Sequence, residues 1–102
     1  MVEALRSDAP RKGVIRQHVL FSGRVQGVGF RYTACRIADR FAVTGWIQNL
    51  PDGRVEAVVE GEPSEIEDFL AAVCEHMRPN ISQCIKTESA ATGEYLGFQI
   101  RV

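Results

Sequence analysis

The stretch Arg16-Gln17-His18-Val19-Leu20-Phe21-Ser22-Gly23-Arg24-Val25-Gln26-Gly27-Val28-Gly29-Phe30-Arg31 changes its hydrophobic period once, and that change decides the fold. Arg16 to Phe21 reads as a strand. Val19, Leu20 and Phe21 place apolar groups on both faces, so a central position in a sheet is expected, and Ser22-Gly23 ends the run. From Phe30 the apolar residues recur as Phe30, Ala34, Ile37, Ala38 and Phe41, the spacing of one helical face. A glycine-spaced segment, Gly23 to Gly29, joins the two.

Working outward, Thr44 to Leu50 and Arg54 to Glu60 read as two strands around the turn Pro51-Asp52-Gly53. Val55, Ala57 and Val59 alternate with Glu56, Val58 and Glu60, which predicts one packed face and one largely polar, solvated face. A second helix is expected after Gly61. Pro63 suits its first turn, Ser64 and Glu67 have capping-box spacing, and Ile66, Phe69, Leu70, Val73, Cys74 and Met77 form its stripe. Acids crowd its start, His76 and Arg78 lie near its end, and Pro79 stops it. Ile81 to Thr87 reads as a strand. Leu96, Phe98, Ile100 and Val102 alternate into a terminal one. The expected class is α+β: a ferredoxin-like βαββαβ sandwich, two helices on one face of a mostly antiparallel sheet. Residues 1–15 lack any period and are expected to be a flexible N-terminal extension to one domain spanning 16–102.

Composition narrows the partners. The 102 residues carry 12 Lys+Arg against 13 Asp+Glu, a formal net charge of −1, which argues against a nucleic-acid binder. The longest unbroken apolar run, Phe69 to Cys74, is far short of the roughly 20 residues a membrane span needs, so no membrane partner is expected either. Cys35, Cys74 and Cys84 form no C-x-x-C pair and are odd in number, which fits reduced thiols in a cytoplasmic protein; a Cys35–Cys74 bridge stays open as an alternative. No apolar leader stretch is visible, and no exposed apolar stripe argues against a monomer.

The chemistry must lie where the glycine-spaced segment meets the first helix. Glycines let the backbone curl so that successive N–H groups of Val25, Gln26, Gly27, Val28, Gly29 and Phe30 point inward, and a helix start adds unpaired donors and a partial positive charge. Such a cradle suits an anion, although a flexible connection explains the glycine spacing alone. Arg31 adds to the case. A cation in a first helical turn is disfavoured by roughly 0.3–1 kcal/mol, and neither Gly29 nor Phe30 supplies a capping side chain. A phosphate dianion would cap the N–H groups and accept the guanidinium fork. A solvated surface arginine is the bland alternative, and Arg24 the weaker candidate. Asn49 closes the second strand and is either a turn residue or a side-chain amide that holds a water. The second strand, if it lay beside the first, would bring Asn49 toward the loop. His18 and His76 read as structural, Glu56 and Glu60 as solvated, and Trp46 as core at a sheet edge. No His/Cys/Asp cluster suggests a metal.

Two blocks, Gly23-Arg24-Val25-Gln26-Gly27-Val28-Gly29-Phe30-Arg31 and Gly45-Trp46-Ile47-Gln48-Asn49-Leu50-Pro51-Asp52-Gly53-Arg54-Val55-Glu56, resemble the acylphosphatases, the first matching that family's G-x-V-Q-G-V-x-F-R signature and the second its G-W-x-x-N-x-x-D-G-x-V-E block. The resemblance covers about residues 17–102. It implies hydrolysis of acyl phosphates to a carboxylate and inorganic phosphate, on the same sandwich, without metal or organic cofactor. It also implies that Arg31 and loop backbone N–H groups bind the phosphate and that Asn49 orients the attacking water. Inorganic phosphate or sulfate would then compete as anions. A regulatory ligand-binding module, an RNA-binding module of the same strand order, and a detached domain of a carbamoyl-transfer enzyme are the rival readings.

Overall fold

The structure, a computed structural model, describes residues 13–102. The lead-in expected for 1–15 therefore lies outside it as far as residue 12. Strand β1 spans Ile15–Gly23, helix α1 Phe30–Ala38, β2 Val43–Asn49, β3 Val55–Gly61, helix α2 Pro63–His76, β4 Ile81–Ala90 and β5 Phe98–Ile100. The strands form one sheet in the order β4-β1-β3-β2-β5. β1 pairs antiparallel with β3 and β4, and β2 pairs antiparallel with β3 and parallel with β5, so the sheet is mixed. The α+β sandwich expected from the pattern is the architecture found.

One expected neighbour relation is corrected. β2 does not lie beside β1; β3 runs between them. Because β3 is antiparallel to both, β1 and β2 are parallel and end at the same edge. Phe21, Val55 and Asn49 make one row across the three strands.

The helices pack on the face carrying Val19, Phe21, Ile47, Val55, Ala57 and Val59, each at most 1% exposed. From α1 they bury Phe30, Ala34, Ile37 and Ala38, and from α2 Ile66, Phe69, Leu70 and Val73. Phe41, expected to complete the α1 stripe, falls past its end. The N–H groups of Arg40 and Phe41 turn back to the carbonyls of Ile37 and Ala38, and the Phe41 ring still meets Phe69 at 6.3 Å. The Phe69 ring also meets Phe98 at 5.2 Å.

Several expectations move. β1 reaches Gly23 because Ser22 and Gly23 still pair with Gln83 and Ile81 across a bulge. β4 continues to Ala90, which pairs with Ile15. The terminal strand shortens to Phe98–Ile100, and Leu96 stands fully exposed. The Ser64–Glu67 capping box does not form: Glu62 is the N-cap without a side-chain bond, and the Glu65 carboxylate accepts the Ala42 N–H at 2.8 Å instead.

The open face is not simply solvated. Glu60, expected in water, is 3% exposed. Its carboxylate accepts the Arg16 Nε–H at 2.8 Å and the N–H groups of Thr92 and Gly93 at 2.9 Å each. Glu56 accepts from Gln48 Nε2 and meets His18 Nε2, both at 2.7 Å. Trp46, expected in the core, is on this face. Its Nε1–H donates to the Tyr95 hydroxyl at 3.2 Å, and the Arg101 guanidinium stacks on its ring at 4.0 Å. Burial alone would raise the Glu60 pKa, but the bonds from Thr92, Gly93 and Arg16 outweigh it and hold the carboxyl below its ordinary 4.5. Gly45 answers another constraint: a Cβ there would lie 1.8 Å from the Val58 carbonyl oxygen, at a φ of +140°.

Two outcomes are expected. A depressed folded-state pKa contributes stability present above the ordinary value and lost as pH falls through the folded one. Urea denaturation from about pH 6 down to about pH 3 should therefore show a shallower acid loss in Glu60→Gln than in the parent. Gly45→Ala should cost about 2–5 kcal/mol in the same measurement, against about 1 kcal/mol for Gly27→Ala, where strain is the only penalty.

Candidate active site

The loop after β1 is anchored at both ends and curled in the middle. Arg24 N–H donates to the Asn80 carbonyl at 2.8 Å, and the Val25 side chain is 1% exposed in the core. Gly27 and Gly29 then adopt φ of +77° and +76°, a left-handed conformation that side-chain-bearing residues reach only with strain. No Cβ would clash at either, so the backbone angle alone asks for glycine there.

Gly29 is the N-cap of α1, with no side-chain cap and no acid in the first turn. The helix start is held from below instead. Phe30 is 2% exposed and packs on Phe21 with ring centroids 4.9 Å apart. Arg31 follows, half-buried. Ion pairs among the described residues involve Arg16, His18, Arg54 and Arg78, and Arg31 is not among them.

The hairpin presents Asn49. Leu50 N–H donates to the Arg54 carbonyl at 2.8 Å, and Asp52 accepts both the Arg54 N–H and its Nε–H, closing the turn. The Gln26 amide reaches across from the loop. Its Nε2 donates to the Leu50 carbonyl at 2.8 Å and to the Arg54 carbonyl at 2.9 Å. One side chain thus ties the curled loop to the end of β2.

Between them opens a cleft of about 160 Å³, on which Arg31, Asn49, Gly27 and Gly29 all border. Val25 and Phe30 back it, while Gln26 and exposed Val28 fall outside its lining. The structure therefore brings Arg31 and Asn49 together and makes Gln26 a clamp by its side chain. Asn49 Oδ1 is buried with no hydrogen-bond partner, a state shared only with Gln17 Oε1 among the described residues. A buried acceptor left without a partner costs about 1–3 kcal/mol, so the end of β2 carries a locally unfavourable polar group. Tyr32 and Ile100 complete the lining, and neither stood out in the sequence. Tyr32 directly follows Arg31 and lies off the buried stripe, which was the available signal. Ile100 reaches the cleft because β5 pairs parallel with β2.

Among the described residues, no group of three or more His, Cys, Asp or Glu is placed to hold a metal, and no helix is long and apolar enough to cross a membrane. The three cysteines are free. Cys74 neighbours Cys84, and burial together with Cys74 pushes the Cys84 thiol up to about 11.

A family model described as Acylphosphatase matches residues 17–100. The chain belongs to the acylphosphatase family. An acylphosphatase from Methylococcus capsulatus is 45% identical over 87 residues, covering 83% of this chain and 94% of that protein. One from Nostoc is 52% identical over 64 residues, where the match spans 63% of each protein's length. The crystal structure of acylphosphatase from Bacillus subtilis superposes with a TM-score of 0.78 at 32% identity, covering 86% of this chain and 99% of that one.

The clamp makes a local test. Gln26→Ala should leave the Leu50 and Arg54 carbonyls without that donor and cost about 1–3 kcal/mol in urea denaturation. Hydrogen exchange should show faster opening of the Leu50 amide than of amides in the middle of β3. Uniform exchange across both sites would remove the local coupling.

Proposed function

We propose that this chain hydrolyses acyl phosphates, cleaving the carboxyl–phosphate anhydride to a carboxylate and inorganic phosphate. The observation that supports this best is the meeting of Arg31, the left-handed Gly27 and Gly29, and Asn49 around one cleft. In this reading the backbone N–H groups from Val25 to Phe30 and the Arg31 fork bind the phosphoryl oxygens, and Asn49 aims a water in line with the departing carboxylate.

The chemistry asks for little else. A carboxylate is a weakly basic leaving group, so no acid is required to expel it. The work reduces to positioning and to stabilising charge on the three equatorial oxygens. The attacking water gives its proton to a phosphoryl oxygen, and the P–O bond to the acyl group breaks with the electron pair leaving on the carboxylate. The reading calls on no metal or organic cofactor. Inorganic phosphate or sulfate competes for the same donors. The free thiols support a cytoplasmic setting, and the proposal takes the chain as a monomer acting on a small molecule, with neither nucleic acid nor membrane as partner.

Phosphate release from benzoyl phosphate tests it. Arg31→Ala and Arg31→Lys should both lower kcat/KM by about 10³-fold or more, because a point charge does not replace the fork. Asn49→Ala should lower kcat by about 10²-fold while inorganic phosphate still inhibits competitively. Full activity in Arg31→Ala would defeat the phosphate-binding role, and normal kcat in Asn49→Ala the water-positioning one.

A further inference from the structure

We infer that Tyr32 and Ile100 form an apolar rim that takes the acyl half of the substrate, so that aromatic or branched apolar acyl phosphates are preferred over acetyl and carbamoyl phosphate. The inference rests on the proposed activity and names the substrate class of the same cleft.

Size comes first. The cleft holds about 160 Å³, close to the roughly 150 Å³ of a cavity that admits a single benzene. A phosphoryl group with its water, seated against Gly27, Gly29, Arg31 and Asn49, leaves little of that space. The acyl group must extend past the mouth, where Tyr32 is 64% and Ile100 40% exposed. Both are large side chains that the core does not enclose. Tyr32 is off the stripe formed by Phe30, Ala34, Ile37 and Ala38. Its ring is not loose, however: the Arg36 guanidinium lies 5.9 Å from its centroid, within the range of a cation–π contact. Ile100 is opposite Ile47 in the parallel β2–β5 pairing, so its position relative to the end of β2 is fixed by backbone bonds.

Chemistry comes second. Among the described residues lining the cleft Arg31 is the one charged group, and the proposed function assigns it to phosphate. What the rim offers an acyl group is a ring face, an aliphatic branch and one phenol hydroxyl. Among the described residues lining the cleft there is no carboxylate to pair with a carbamoyl amide. A hydrophobic contact of one methylene discriminates by about 10–200-fold, so a phenyl ring gains at this rim what an acetyl methyl does not reach.

The test compares kcat/KM for benzoyl, acetyl and carbamoyl phosphate in the parent and in Tyr32→Ser and Ile100→Ser. Benzoate and acetate are of similar basicity, so the ratio of the two reports the acyl contact rather than the leaving group. The parent should favour benzoyl phosphate by about tenfold or more, and each variant should lower that ratio about three- to tenfold through the benzoyl arm. The inhibition constant of inorganic phosphate reports the anion cradle separately. Tyr32 is exposed enough that its replacement should fold even if Ile100→Ser does not. A benzoyl-to-acetyl ratio unchanged in Tyr32→Ser, or an equal fall with both substrates, overturns the rim. A folded parent that cleaves none of the three overturns the proposed activity and the rim with it.

Discussion

The position of β3 between β1 and β2 is the constraint on which the site depends. A strand antiparallel to two others makes those two parallel, and parallel strands end together. The Phe21–Val55–Asn49 row records the result. The curled loop leaves β1 where Asn49 ends β2, although about twenty-five residues of chain separate them. Proximity of the ends is not yet a fixed geometry. The Gln26 amide supplies that by bonding both carbonyls that flank the hairpin turn. Loop and turn are thereby tied to each other, and in the proposed reaction that matters because a positioning group misplaced by about an ångström loses much of its effect.

The two helix starts show how packing overrides local preference. α2 begins as an isolated helix would prefer, with Pro63 in its first turn and the acid Glu65 near its positive end. α1 begins against those preferences, with no capping side chain, no acid and Arg31 in its first turn. The cost of the misplaced cation is roughly 0.3–1 kcal/mol. Burying Phe30 against Phe21 returns about 1.5–3 kcal/mol, so the helix start stays where it is. Core packing thereby holds open a set of unpaired donors beside a cation, which is the arrangement an anion stabilises. The locally unfavourable start and the candidate site are one feature.

Much of this was legible because it is written in short-range pattern. The alternation around Val55 and the 3.6-residue stripes gave the elements, their order and the sandwich. Arg31 stood out as a charge at the wrong helix end, and the two glycines as a turn. What was not legible depends on which strands meet. Alternation cannot tell that Glu60 on the open face is enclosed by Arg16, Thr92 and Gly93, since those partners come from β1 and from the segment before β5. It assigned Trp46 to the core because a large apolar ring is usually buried, whereas Arg101 and Tyr95 cover it on the other face. Ile100 read as one more packing position until the parallel pairing with β2 placed it at the cleft. Gln26 read as one backbone donor among several; only the structure shows its side chain spanning two elements.

The sheet also divides its charges by face, and the division suits the chemistry. Glu56 and Glu60 are directed to the open face, where His18 and Gln48 bond the one and Arg16 with two backbone N–H groups the other. Neither carboxylate borders the cleft, whereas Arg31 does. The open-face network has a second effect. Glu60 holds Thr92 and Gly93, and Arg16 reaches Tyr95, which accepts from Trp46. That chain of bonds fixes the segment leading into β5, and β5 delivers Ile100 to the mouth of the cleft. A carboxylate placed inside the cleft to act as a base would have repelled the phosphoryl group it was meant to serve. For the acyl-phosphate hydrolysis proposed above, with a leaving group as weakly basic as a carboxylate, a site built from donors, one cation and one neutral amide avoids that repulsion and still meets the demands of the transfer.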